Sequence, residues 1–129
     1  MKFSISNIAL TAFDHARELS EVSDAGIQGI EVAPSRKWHD TWHDLNANDV
    51  TLYRQEIESS GLSVVGLHSL FFDHPDLGLF KGSETTKESM LFLLHLSKVC
   101  RDLGGKTLIY GGGRRRDKMP HADAYNEAV

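Results

Sequence analysis

Four short apolar runs, at residues 2–9, 29–33, 63–69 and 106–110, alternate with segments of helical spacing. This alternation constrains the fold more than any other feature of the chain. Each run is rich in Ile, Val, Leu or Phe and reads as a strand. A helix between two strands is too long a connection for a hairpin, so the strands pair in parallel. The segment at 14–25 places Ala16, Leu19 and Val22 on one face, with Thr11 or Asp14 to cap it and Gly26 to stop it. The segment at 49–60 places Val50, Tyr53 and Ile57 together between Asn48 as cap and Gly61 as stop. The third and strongest, at 84–103, follows Ser83 as cap, aligns Leu93, Leu96, Val99, Cys100 and Leu103, and ends at Gly104-Gly105. Residues 122–129 look like the opening turns of a fourth helix.

The pattern is α/β, (βα)4, within one domain, because 129 residues fill a single domain of ordinary size. Four parallel strands fit either a small open sheet covered on both faces or half of a TIM (β/α)8 barrel, which takes about 250 residues. The sequence stops at 125–129 inside an apparent helix with no C-cap signal. The expectation is therefore the parallel (βα)4 half of a TIM barrel, completed by a second chain or by missing sequence.

Composition narrows the function. The chain is 40% apolar and 25% charged, with 14 Lys+Arg against 18 Asp+Glu and a net charge of −4. That balance argues against a nucleic-acid partner, which needs a positive face to displace counterions. One cysteine, Cys100, cannot form an intrachain disulfide; on the apolar face of the third helix it reads as core. Neither a signal peptide nor a run of 18 apolar residues is present, so the expectation is a cytoplasmic protein with no membrane partner. The two longest loops, 34–47 and 70–82, both follow strands, the end of an α/β sheet where function sits.

Three segments resemble the xylose-isomerase-like TIM barrels, specifically the sugar-phosphate isomerase/epimerase group. Residues 24–34, with Gly29-Ile30-Glu31 and leading to Trp38, resemble that group's second strand. Residues 58–69, followed by Phe71-Phe72 and Pro75-Asp76-Leu77, resemble its third strand and long loop. Residues 103–113 are similar to the fourth strand with its Gly-rich turn. The resemblance spans the chain in order. It implies aldose–ketose isomerisation or epimerisation of a sugar or sugar phosphate, assisted by a divalent metal (Mn, Mg, Co or Zn) that stabilises enediolate oxygens while a base moves the proton. It also places the metal-binding carboxylates and histidine on strands five to eight, which this sequence does not contain.

Five residues emerge as candidate substrate contacts. Glu31 reads as a carboxylate at the barrel mouth or as half of a structural ion pair. His68 closes the third strand and reads as a substrate contact, ahead of acid–base work or metal ligation. Within 38–44, Trp38 or Trp42 can stack on a ligand or on the rim of a loop over the mouth. His39 and His43 share i, i+4 spacing but lack the His-Glu-x-x-His pattern of zincins. Gly111-Gly112-Gly113 followed by Arg114, Arg115 and Arg116 reads as an anion cradle or a solvated turn, with Arg114 nearest the strand; Arg36 is the second anion candidate. His15 and His95 lie on helices and look structural. Two other function classes compete. One is a non-catalytic half-barrel module that closes as a homo-oligomer, since a half-barrel leaves strand edges unpaired. The other is an endonuclease-IV-like repair enzyme, disfavoured by the acidic charge balance and by the lack of a His-Ala-Pro element at His68.

Overall fold

The computed structural model describes residues 1–111. Arg114, the remainder of the arginine run and the helix expected at 122–129 lie outside the described residues. The order is β1 (Ser4–Ser6), α1 (Ala16–Asp24), β2 (Gly29–Val32), α2 (Ala47–Ser59), β3 (Ser63–Leu67), α3 (Ser83–Leu103) and β4 (Thr107–Leu108). The four strands form one parallel sheet in the order β1-β2-β3-β4. Parallel crossovers are right-handed, so strands added in one direction place every crossover helix on the same face. Accordingly α1 packs beside α2 and α2 beside α3. Among the described residues the helices cover one face of the sheet and leave the other uncovered.

Alternation along the strands sorts the two faces. Ile30, Val32, Val64 and Leu67 point to the helices and are buried with Leu19, Tyr53, Ile57, Phe92, Leu96 and Leu103 in one apolar cluster. Ser63 and Val65 point to the other face and are exposed. The register slips once, with Ile30 opposite Val64 but Glu31 opposite Gly66, so Val65 is an extra residue that bends β3. Gly66 lets β4 approach: a Cβ there would collide with the hydroxyl and backbone oxygens of Thr107.

Several boundaries differ from the sequence reading, each for a local reason. The first strand, expected over 2–9, ends at Ser6, because the Ser6 hydroxyl accepts the Ile8 N–H and turns Asn7–Ala9 into a 3₁₀ turn. Neither Thr11 nor Asp14 caps α1. Thr11 instead gives its backbone N–H to Glu18, and hydrogen bonding from the Thr11 side chain and then from its backbone holds the Glu18 carboxyl below its ordinary pKa. The cap of α2 is Asn46, whose Oδ1 accepts the Asp49 N–H at 3.0 Å, and not Asn48. Ser83 is the first residue of α3, with Gly82 as its cap. Gly26, Gly61 and Gly104 stand in the left-handed region just past the three helices, as expected. Cys100 is buried, as expected of a core residue. Among the described residues no helix is long and apolar enough to cross a membrane.

Candidate functional site

A buried polar chain fixes the start of the sheet. Asn7 is fully buried, donates to the Ala33 carbonyl and accepts the Ala33 N–H at 2.8 Å. Its amide also reaches the Tyr53 hydroxyl, which lies 2.8 Å from His15 Nε2. His15 Nδ1 faces the Thr11 carbonyl at 2.9 Å, so Nδ1 carries the proton and Nε2 accepts from Tyr53. Burial lowers the His15 pKa and raises that of Tyr53, keeping both neutral. Every polar atom along this chain is in use, so His15 is structural, as its helix position suggested.

With β1 and β2 thus aligned, polar side chains of β1, β2 and the end of β3 meet on the face that carries no helix among the described residues. Ser4 and Ser6 pair with Gly29 and Glu31 in register. The Ser4 hydroxyl donates to Glu31 Oε1 at 3.2 Å. Ser6 Oγ lies 2.7 Å from His68 Nε2, and His68 Nδ1 lies 3.0 Å from Ser69 Oγ. Partial burial lowers the His68 pKa, and the Glu31 charge opposes that only in part. Burial thus favours the neutral imidazole of His68, which with the Glu31 side chain beside it can bind hydroxyls. Strain gathers at the same end: Ser69 follows β3 with φ +53°, while Phe13 and Phe80, both at φ +67°, lie in the loops after β1 and β3.

The other expected contacts have different neighbours. Arg36 bonds to backbone. Its Nη2 donates to the Leu10 carbonyl at 2.5 Å and to that of Ile8 at 3.4 Å, while the Phe13 N–H bonds back to the Arg36 carbonyl. It therefore clamps the loop after β1 to the loop after β2. Trp38 packs edge-on against Tyr53, with ring centroids 5.4 Å apart, at the margin of the core. His39 stacks on Phe13 and His43 on Trp42, which gives the i, i+4 pair different neighbours. The loop that carries Trp42 folds down onto α3, where Trp42 meets Phe92 at 4.9 Å and the Thr41 carbonyl bonds to His95.

Sequence reasoning missed one constellation. Among the described residues, the group of three ligand-type side chains that comes together is Asp40, Asp73 and His74, on the two long loops. The signal was only the Asp73-His74 dipeptide in one long loop and Asp40 in the other. On the sheet face, Glu31 and His68 have no such third partner, so the described residues do not fit the catalytic metal that the resemblance implies. No protein-family model matches the chain, nor does any curated protein or any solved structure.

Proposed function

We propose that this chain is the N-terminal half of a TIM-barrel enzyme of the sugar-phosphate isomerase/epimerase type. In this reading Glu31 and His68 bind substrate hydroxyls on the concave face. The observation that carries it is the polar track Ser4–Glu31 and Ser6–His68, which leads from the first residue of β1 to the C-terminal strand ends at Ser6 and His68, on the face that bears no helix among the described residues. That is where barrels of this architecture keep their sites. Glu31 accepts from hydroxyls, and a neutral His68 exchanges its serine bonds for bonds to a polyol. Arg36 and Trp38 hold the loops around the mouth, and Arg114 is the proposed contact for a phosphate. The divalent metal belongs to strands of the other half, so no step here runs through it. The protein is placed in the cytoplasm, works on a small sugar or sugar phosphate, and completes its barrel as an oligomer or with further sequence.

Binding of a panel of aldose and ketose phosphates, followed by saturation-transfer NMR, tests the reading. At least one sugar phosphate is expected to bind, with affinity reduced about tenfold, some 1.4 kcal/mol, in Glu31→Gln and in His68→Gln. Silence across the panel, or binding untouched by both substitutions, overturns it.

A second reading, a non-catalytic module that closes on its own copy, draws on a specific feature. The open face exposes Val65 and Ile109, and the bordering strands β1 and β4 are short and unpaired on their outer sides among the described residues. Two copies with two-fold symmetry would make eight strands. Sedimentation gives a dimer if this holds; a stable monodisperse monomer removes it.

A further inference from the structure

The loops after β2 and β3 meet at a place the proposed activity does not use. Asp40 comes from the first loop and Asp73 and His74 from the second, and their ligand atoms lie within 4.8 Å of one another. His74 Nε2 is 3.4 Å from Asp73 Oδ2 and 3.7 Å from Asp40 Oδ1. That nitrogen is buried and has no hydrogen-bond partner. A buried ring nitrogen is costly when unsatisfied, and these separations exceed the range of a good N–H···O bond. They match a different geometry: a tetrahedral ion with bonds of about 2.0–2.1 Å sets its ligands about 3.4 Å apart.

We propose that Asp40, Asp73 and His74 form a binding site for a divalent cation of the zinc class, which ties the two loops to each other. One imidazole and two carboxylates make a hard-to-borderline set suited to such an ion. Both carboxylates are already oriented. Asp73 Oδ2 accepts the backbone N–H and the hydroxyl of Thr41, at 3.0 and 2.8 Å. Asp40 Oδ1 accepts the N–H groups of Trp42 and His43, at 2.8 and 3.0 Å, and these bonds hold its carboxyl below the ordinary range. Each of these oxygens thus accepts two hydrogen bonds, and a carboxylate has about four acceptor positions, so the capacity left for a cation is on the second oxygen of each, Asp73 Oδ1 and Asp40 Oδ2. The surrounding donors are the outer-shell partners that fix ligand orientation at metal sites. Phe92 and Trp42 wall the imidazole, with ring centroids 4.8 and 5.9 Å from His74, and lower the dielectric around the ion. The opposite side opens to a cleft lined by His43, Asp76 and Glu88, acidic enough to draw a cation in. The site does not depend on the sugar reading.

The test uses the full chain, stripped of metal and titrated with Co²⁺ as a visible stand-in and then with Zn²⁺ in competition. Long-range ¹H–¹⁵N spectra of the histidine rings are recorded alongside. One ion per chain is expected, with tetrahedral ligand-field bands and a metal-bound shift at His74 Nε2. His74→Gln is expected to weaken binding more than about 100-fold, whereas His39→Gln leaves it unchanged. The spectra of the unaltered chain need no variant, so a folding defect in His74→Gln does not obscure the answer. The proposal is overturned if no stoichiometric ion binds, if the ion shifts His39 or His43 while His74 stays unmoved, or if folded His74→Gln binds as the unaltered chain does.

Discussion

The two faces of the sheet are built to opposite rules. Toward the helices, β2 and β3 present Ile30, Val32, Val64 and Leu67, closed over by aromatic and aliphatic side chains from three helices. On the other side the same strands, with β1, present serines, Gly29, Glu31 and Val65, and end at His68. His15 and His68 repeat the contrast in miniature. Both are held neutral by burial, but His15 is sealed between Thr11 and Tyr53, whereas His68 leans on serine hydroxyls at the open side. Among the described residues, apolar burial is thus concentrated on one face, and the polar side chains of the strands on the other.

The contrast can be broken most severely from the closed side. Phe92 is fully buried among Trp42, Phe71 and His74, so Phe92→Ala should lower unfolding free energy by about 3–5 kcal/mol in urea titrations. Gly66→Ala should cost about 1–3 kcal/mol, since the added methyl must push β4 off β3. Acid acts more gently. The pKa of His15 lies below its ordinary 6.5 in the folded chain, so below that pH the unfolded chain binds protons that the native chain does not. Stability should therefore fall as pH drops through this value, level off once the native His15 also protonates, and fall less steeply in His15→Gln. The smallest effect sharpens the comparison. Val65 is 40% exposed on the open face, and Val65→Ser should change stability by no more than about 0.5 kcal/mol. A cost near that of Phe92→Ala would mean that something covers this face in solution.

Much of this architecture could be read from residue order. Apolar runs such as 63–69, whose first five residues are β3, and glycines such as Gly61 mark the elements because their spacing and backbone needs are local properties. Caps were less legible: Asn46 and Asn48 are chemically equal, and only the extended backbone at Asn46 selects between them. Glu31 and His68 came together because neighbouring parallel strands bring their ends to one side. The backbone bonds of Arg36 and the packing of Trp38 on Tyr53 were not legible, since a guanidinium bonds to backbone carbonyls as readily as to phosphate, and an indole packs on a tyrosine as readily as on a ligand. Asp40 and His74 lie in separate loops, and nothing in their spacing foretells that they meet.

The Arg36 clamp has a mechanical consequence. A single side chain grips two carbonyls of the preceding crossover while its own carbonyl is held by Phe13, so the first two rims of the sheet are stitched edge to edge.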